Sequence, residues 1–482
     1  MGVWQWMRRV ARAAGVAGLV IGVPGGAVAG WPFGQGRAVA AVVNTQTAVG
    51  WGFNGVGELG DGTTTSRSVF GAVSGLSGGV VQVAAGIEFS LAVTSSGTAW
   101  AWGNGHFGQL GDGSTANSSV PVRVKGLTGL VAVAAGFFHS LALRSDGTVW
   151  AWGDNHYGEL GTGTTVSSSV PVRVKGLTGI TRIAAGYGYS LALRSDGTVW
   201  AWGRGELGNG TAAGSSVPVR VSGLSHVISI AAGAATAYAI RTSSTGQTSL
   251  WGWGGGPVGD GTTTSWLLPV RVTGISAPAV ANITAGTGYA LALGSDGSVW
   301  GWGDDTVGEL GNAPTTNLVL RPVQTRWAGS GISQLSAGNQ FLFGGIFGVH
   351  VHSLALTSQG TVWGWGDNSS GELGNGTTST SPSGAVQVAG LAGVTQIAAG
   401  SLFSLAVTTF VRVPSVVGDT TSTASSVLQA HGFVLGQVSY AADYTCNYLG
   451  VIKSQTPTAG TWAKYGSPVS VTVGIRPPTP CP

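Results

Sequence analysis

Charged side chains are scarce in this chain, where Asp, Glu, Lys and Arg make up 8% of 482 residues. The net charge of +4 is spread along the chain and includes no run of lysine or arginine, so we expect no nucleic-acid groove. The only two cysteines are Cys446 and Cys481, and no Cys or His stands near them at metal-ligand spacing. We therefore expect neither a metal nor another cofactor.

Motifs of known catalytic sites are also missing. The sequence has no Ser-His-Asp order, no phosphate-cradling glycine loop ahead of a helix and no isolated acidic pair. His139 and His352 stand at a repeat position that elsewhere holds Tyr or Phe, as at Tyr189 and Phe403. We interpret this position as packing and not as a general base, and we predict that the protein is not an enzyme.

The first 29 residues have the pattern of a secretory signal peptide. Arg8, Arg9 and Arg12 precede an uncharged stretch of 17 residues at 13–29, which is too short for a typical membrane anchor and has no flanking charge on its far side. Cleavage after Ala29 or after Ala40 fits the small residues found there. We expect a secreted or wall-associated protein without a transmembrane span in its mature form, with residues 30–47 as a leader. In an exported chain Cys446 and Cys481 can form one disulfide bond, and two free thiols are the alternative.

Glycine, by contrast, is abundant, with 85 residues, and it recurs with tryptophan at intervals of about fifty residues. Seven units result. The tryptophan that precedes each repeated glycine is Trp51, Trp102, Trp152, Trp202, Trp253, Trp302 or Trp365. A second glycine, in an Ala-Gly pair or its equivalent, is Gly86, Gly136, Gly186, Gly233, Gly286, Gly338 or Gly400.

Each unit contains four short strand patterns. "HSLAL" and "TVWAWG" flank a turn with Asp146-Gly147, and the runs "PVRVK" and "ITRIAAG" follow a glycine loop. No helical period occurs in 48–407. Four strands repeated every fifty residues predict a β-propeller with seven blades.

The last repeat is incomplete. The strand "SLAV" at 404–407 lacks its partner, whereas "AVGWG" at 48–52 is a partner without a preceding strand. We predict that these segments pair in one blade, that an N-terminal strand thus closes the ring, and that both chain ends leave on the face of the Ser-Asp-Gly turns.

The run "GFFHSLALRSDGTVWAWGDNHYGELGTG" at 136–163 resembles the regulator of chromosome condensation repeat, and the resemblance covers 48–407. That family implies a seven-bladed propeller. Its best-known members imply guanine-nucleotide exchange on a small GTPase, and its secreted bacterial members include an inhibitor of β-lactamases.

The C-terminal sequence has a pattern different from that of the repeats. Residues 412–475 predict strands around a short helix, and "VPSVVG" and "VIKSQTPTAG" resemble one PASTA domain, which implies contact with peptidoglycan. The segment "DYTCNY" departs from that pattern. The predicted fold is therefore an all-β propeller plus a small α+β domain, with a linker at 408–411 and a tail at 476–482.

Three repeated side-chain types have structural explanations. Thirteen of the 19 tryptophans stand at the repeated Trp-x-Trp positions, as six complete pairs plus Trp51, and are expected to fill the space between blades, with sugar stacking as the alternative. The Glu of "GELG", such as Glu159, is expected to bind the amides of its own loop and not to act as an acid or base. Arg and Lys of "PVRVK" are expected to protect outer strands, with anionic wall polymers as an alternative partner.

The predicted ligand-binding surface is the face opposite the PASTA-like domain. It collects the loops after each Trp-Gly and after each Ala-Gly. Its aromatic residues are Phe53, His106, Phe107, Phe137, Phe138, His156, Tyr157 and Tyr187. An apolar insertion between Gly338 and His352 adds Phe341, Phe343 and Phe347, which either cap the channel or contact a partner.

These features predict an exported, non-catalytic, wall-associated protein that binds a protein or glycan through one propeller face. The alternatives are an exchange factor for a small GTPase and a secreted inhibitor of the β-lactamase-inhibitor type.

Overall fold

The computed structural model describes residues 46–76, 79–312, 314, 318–326, 331–340, 350–379, 381–431, 433–464 and 467–478. The expected signal peptide and most of the leader lie outside these ranges. So do Phe341, Phe343, Phe347 and Cys481.

Seven four-stranded antiparallel sheets form the blades of a propeller, which confirms the predicted architecture. We number the blades in chain order and give the strands of each from the axis outward. Blade 1 contains β3 (Val80–Ala85), β4 (Phe89–Thr94), β5 (Ala99–Gly103) and β6 (Ser118–Arg123); blade 2 contains β7 (Leu130–Ala135), β8 (His139–Arg144), β9 (Val149–Gly153) and β10 (Ser168–Arg173). Blade 3 contains β11 (Ile180–Ala185), β12 (Tyr189–Arg194), β13 (Val199–Gly203) and β14 (Ser215–Arg220); blade 4 contains β15 (Val227–Ala232), β16 (Thr236–Thr242), β17 (Thr248–Gly254) and β18 (Trp266–Arg271). Blade 5 contains β19 (Val280–Ala285), β20 (Tyr289–Gly294), β21 (Val299–Gly303) and β22 (Val319–Gln324); blade 6 contains β23 (Ile332–Ala337), β24 (His352–Thr357), β25 (Val362–Gly366) and β26 (Ser381–Gln387).

Blade 7 closes the ring with strands from both ends of the repeat region. From the axis outward it contains β27 (Val394–Ala399), β28 (Phe403–Thr408), β1 (Thr47–Gly52) and β2 (Arg67–Ala72). Ala48 pairs with Val407 and Gly52 with Phe403, so the predicted pairing is confirmed. The early part of the chain supplies two strands to this blade and not one.

The hairpin turns between the second and third strands follow the predicted chemistry. In blade 2, Asp146 Oδ1 accepts hydrogen bonds from the Thr148 amide at 3.0 Å and from its hydroxyl at 2.6 Å. Gly147 has a φ of 75°, a conformation that favours glycine. The turns define one face of the ring, which we call the turn face.

The opposite face carries the loops that follow the first and third strands. Tyr189, at the start of β12, pairs with Gly203 at the end of β13, which places both loop types on one side. We call this side the Ala-Gly face. The chain leaves the propeller on the turn face, where Thr47 pairs with Thr408 and the Thr409 amide donates to Gly393 O at 3.2 Å. Both ends therefore leave the propeller together, as predicted.

Buried tryptophans join each blade to the preceding one. The second tryptophan of each pair is fully buried, whereas the first, except Trp300, is only partly buried. The Trp202 indole donates to Glu159 O at 2.7 Å, and the Ser190 hydroxyl donates to the same oxygen at 2.9 Å. The equivalent indoles that donate to a loop carbonyl of the preceding blade belong to Trp51, Trp102, Trp152 and Trp365. These rings thus pack between blades, as the sequence predicted.

Three glutamines join the inner strands. The side chain of Gln396 donates to Val83 O at 3.0 Å and accepts from the Val83 amide at 2.8 Å, so it bridges blade 7 to blade 1. Gln82 makes the same pair of bonds with Val133, and Gln334 makes it with Ile397. The closing blade is therefore tied to both of its neighbours.

The C-terminal domain contains one helix and five strands. Its elements are β29 (Phe410–Arg412), α1 (Thr421–Ala430), β30 (Val434–Ala442), β31 (Ile452–Thr456), β32 (Trp462–Lys464) and β33 (Pro468–Ile475). Strand β33 lies between β30, to which it is parallel, and β31, to which it is antiparallel. The Thr420 side chain caps α1 by accepting from the Thr423 amide. Strand β29 pairs with β32, so this domain begins within the interval 408–411 that was expected to be a linker.

No helix within the described ranges has both the length and the apolar character to cross a membrane.

Candidate functional site

The loop that follows β9 is built to present His156 and Tyr157 on the Ala-Gly face. Asn155 is fully buried; its side-chain oxygen accepts from the Leu160 amide at 2.9 Å, and its side-chain nitrogen donates to Thr164 O at 3.0 Å. Glu159 Oε2 accepts from the Tyr157 amide at 2.8 Å. These hydrogen bonds fix the loop, and the rings of His156 and Tyr157 are exposed to solvent.

Neighbouring loops bring more rings to this point. Phe107 lies 5.0 Å from Phe138, and Tyr157 lies 6.3 Å from Tyr187, measured between ring centroids. His156 meets Tyr157 edge-on at 5.0 Å. Blades 1, 2 and 3 thus contribute to one aromatic group.

Arg204 completes the group from the loop after β13. Its guanidinium lies 5.3 Å from the ring centre of Tyr157 and 5.1 Å from that of Tyr187. Such cation–π contacts hold the guanidinium in place while its N–H groups remain available to a ligand. Burial, and then a hydrogen bond with Tyr157, raises the pKa of Tyr187, which therefore stays a neutral phenol.

We define the aromatic face as the six residues Phe107, Phe138, His156, Tyr157, Tyr187 and Arg204. The five rings line a hollow of about 240 Å³, with Asp154 and Glu159 at its polar side. A second hollow of about 240 Å³ lies beyond Tyr187, where Arg204 and Glu206 line it. The two hollows share Tyr187 and form an adjoining pair across blades 1 to 4.

The structure thus groups five of the predicted aromatic residues. Phe137 is buried, with its ring 5.1 Å from that of Tyr187, so it supports the surface from below. Phe53 and His106 are on loops of the same face but do not line the hollow. Sequence reasoning missed Arg204, which stands directly after a Trp-Gly pair at a position occupied by Asp154 in the preceding repeat.

Two buried Ser–His pairs resemble parts of a catalytic site. His139 Nε2 lies 2.9 Å from Ser190 Oγ, and His352 Nε2 lies 2.8 Å from Ser404 Oγ. Each serine donates its own proton to a backbone carbonyl, at Glu159 or Glu372, so the histidine is the donor to the serine and not its base. Burial lowers the pKa of His139 to about 3 and that of His352 to about 4. The arrangement holds neighbouring blades together.

The loop glutamates also stabilise the fold, because each binds the backbone of its own loop. Glu58, Glu159, Glu309 and Glu372 each accept a hydrogen bond from the amide two residues earlier. Burial raises the pKa of Glu58, Glu159 and Glu309 to about 7 and that of Glu372 to about 8. No cluster of three or more potential metal ligands occurs among the residues that the structure describes.

Comparison with protein families gives four matches. The model described as RCC1-like domain matches residues 33–277, and two models of the Regulator of chromosome condensation (RCC1) repeat match residues 332–372 and 359–407. The PASTA domain model matches residues 411–475.

Curated relatives match over parts of their length. Human E3 ubiquitin-protein ligase HERC2 is 33% identical over 221 residues, which cover 36% of this chain and 5% of HERC2. The ultraviolet-B receptor UVR8 of Arabidopsis thaliana is 31% identical over 127 residues, or 26% of each chain. The chain therefore spans a small part of HERC2 and about a quarter of UVR8.

Solved structures share the fold. Yeast RCC1 (Prp20), solved with Kap60 bound, has a TM-score of 0.64 at 20% identity, covering 78% of this chain and 94% of that one. Human WBSCR16 has a TM-score of 0.63 at 22% identity, covering 75% of this chain and 98% of that one. The combination of such a propeller with a PASTA domain indicates a binding or regulatory protein. The chain belongs to the RCC1-like domain family and carries one PASTA domain after its propeller.

Proposed function

We propose that this chain is an exported, non-catalytic binding protein that holds a protein ligand on its aromatic face, while its PASTA domain contacts peptidoglycan. The observation that carries the proposal is the position of Arg204 between Tyr157 and Tyr187, beside two hollows. Tyrosine and arginine dominate the energetics of protein interfaces, because they combine large apolar area with directed hydrogen bonds.

Exposure of these rings supports a binding role. Phe107 is 43% exposed and Tyr157 is 37% exposed, although both carry large apolar surfaces. Their loops are fixed by buried hydrogen bonds such as those of Asn155, so little conformational entropy is lost when a ligand binds. On the PASTA domain, Tyr440 and Tyr444 are similarly exposed and can contact wall fragments.

The double variant Y157A/Y187A tests the aromatic face. A partner is first isolated from wall extracts with the immobilised protein, and its Kd is then measured by calorimetry. We expect the double variant to raise Kd at least ~100-fold, since each interface anchor contributes about 2 kcal/mol or more. The matched control is Y440A, which removes an exposed tyrosine of the PASTA domain and should leave Kd unchanged. An unchanged Kd for a folded Y157A/Y187A protein would contradict the proposal, and protease-resistant binding activity in the extract would point to a glycan instead.

Export is tested on the mature protein. We expect the protein in the secreted or wall fraction, shortened by cleavage after Ala29 or Ala40, with Cys446 and Cys481 joined by a disulfide bond. Mass spectrometry of unreduced, alkylated protein measures both features, and a reduced sample is the control. Recovery from the cytoplasm with an intact N-terminus would overturn the export proposal and favour the exchange-factor alternative. Two alkylated thiols in the exported protein would refute the disulfide alone.

A further inference from the structure

The inner strands surround a channel on the propeller axis, with a volume of about 820 Å³. The third residue of every inner strand except that of blade 2 lines this channel. In blade order the third residues are Gln82, Ala132, Arg182, Ser229, Asn282, Gln334 and Gln396. Residues at the same position of the inner strands thus differ in side-chain chemistry from blade to blade.

Arg182 differs from the other residues at this position. The three glutamines use both their amide oxygen and their amide nitrogen to bind the backbone of the next blade. A guanidinium has donors but no acceptor, so it cannot make that reciprocal pair of bonds. Arginine at this position therefore does not serve the bridging role that glutamine serves in blades 1, 6 and 7.

The charge of Arg182 is also uncompensated. Among the described residues that line the channel it is the only ionisable one, and it makes no hydrogen bond or ion pair with any described residue. Burial lowers the pKa of its guanidinium, and no nearby carboxylate opposes that effect. Arg182 is half-buried in the channel, and charges withdrawn from water in proteins are normally paired.

We propose that the channel holds a small oxyanion, a carboxylate or an inorganic oxyanion, paired with Arg182. The planar guanidinium fork matches the two oxygens of such a group and binds it by two parallel hydrogen bonds. Ser229 lies on the adjoining strand at the same position and offers a hydroxyl. The other described residues that line the channel are uncharged. The channel volume is within the range of small-molecule sites.

The test uses R182Q, which introduces the residue that three other blades carry at this position. Binding of sodium benzoate and of sodium phosphate is measured by calorimetry and by thermal unfolding, at constant ionic strength in a zwitterionic buffer. We expect at least one of the two anions to bind and to raise the Tm of the parent protein, and R182Q to weaken that binding at least tenfold. Binding of benzoate alone identifies an organic acid, and binding of phosphate alone identifies an inorganic oxyanion.

Two further measurements separate a binding role from a structural one. Without added anion, R182Q should be at least as stable as the parent protein, because it removes a half-buried charge that no described residue compensates. The control K175Q removes an exposed cation on an outer loop and should retain the full effect of the anion. The proposal is overturned if neither anion binds the parent protein, if R182Q binds as tightly as the parent, or if R182Q lowers Tm equally with and without anion.

Discussion

At pH 8 we expect the double variant E309Q/E372Q to unfold at a higher temperature than the parent protein, by on the order of 5 °C, and at pH 5 we expect the difference to nearly vanish. Both carboxyl groups are buried in loops between the third and fourth strands of their blades, where the loop contacts the following blade. Burial raises their pKa from 4.5 to about 7 for Glu309 and to about 8 for Glu372. The nearby carboxylates of Asp304 and Asp367 act in the same direction.

The sign follows from proton linkage. A group whose pKa is higher in the folded state binds its proton more tightly there, so its stabilisation is fully present below pH 4.5. That stabilisation is lost as the pH rises through 7 to 8, and it corresponds to about 3 kcal/mol for Glu309 and about 5 kcal/mol for Glu372. The side-chain amide of glutamine does not ionise between pH 5 and pH 8, so the variant keeps its stability at pH 8.

Blade 1 already contains the substitution. Gln109 occupies the glutamate position there, accepts from the Phe107 amide at 2.8 Å, and donates to Asn104 Oδ1 at 3.3 Å. Asp304 and Asp367 stand at the position of Asn104 in their own repeats, so the new amides have an acceptor. Glu58 is the control. The position of Asn104 is occupied by Phe53 in its repeat, so the amide of E58Q would lack a side-chain acceptor there. We expect a smaller gain for E58Q. Thermal unfolding between pH 5 and pH 8 measures the effect, and a gain at pH 5 equal to that at pH 8 would contradict the linkage.

Removal of the closing strand should have the largest effect on the fold. A chain that begins at Arg67 lacks β1, and we expect it to show no cooperative thermal transition. Strand β28 then loses its neighbour, and Glu372 O loses the indole of Trp51. Truncation of one buried tryptophan to alanine alone costs about 3–5 kcal/mol, and the exposed strand edge promotes association.

The control is a chain that begins at Gln46 and keeps β1 intact. Calorimetry should show one sharp transition for that chain. Size-exclusion chromatography should detect aggregates only for the chain beginning at Arg67. A sharp transition at the same temperature in both chains would show that the ring does not need the N-terminal strand.

The blade pattern and the closure could be predicted because they depend on local chemistry. Asp146-Gly147 specifies a hairpin, and a strand without its turn at 404–407 requires a distant partner. The second closing strand was missed because "RSVFGA" lacks the Pro-Val-Arg pattern of most outer strands. The small domain begins before residue 412 because Phe410 and Val411 pair with β32, a contact that no local pattern encodes.

The candidate site could be predicted only in part. Loop position sufficed to group Phe107, Phe138, His156, Tyr157 and Tyr187 on one face. The role of Arg204 depends on two rings from neighbouring loops, and Phe137 differs from Phe138 only in which side of the loop it faces. Arg182 belongs to no motif of the sequence, and only the ring of inner strands shows that no described residue of the channel balances its charge.

In five of the seven blades the indole and a serine hydroxyl bind a carbonyl of the preceding blade, so these clamps all point in one direction around the ring. In blades 4 and 5 alanine replaces the serine, and the Trp302 indole donates to the Tyr238 hydroxyl instead. Blade 7 is assembled from both ends of the repeat region, and it makes the same contacts. Its Trp51 binds the preceding blade, and its Glu58 O accepts from Trp102 of the following blade. An open array of repeats frays from its terminal units, which have one neighbour each. Here every blade has two neighbours, so amide exchange by sub-global opening has no terminal unit from which to begin.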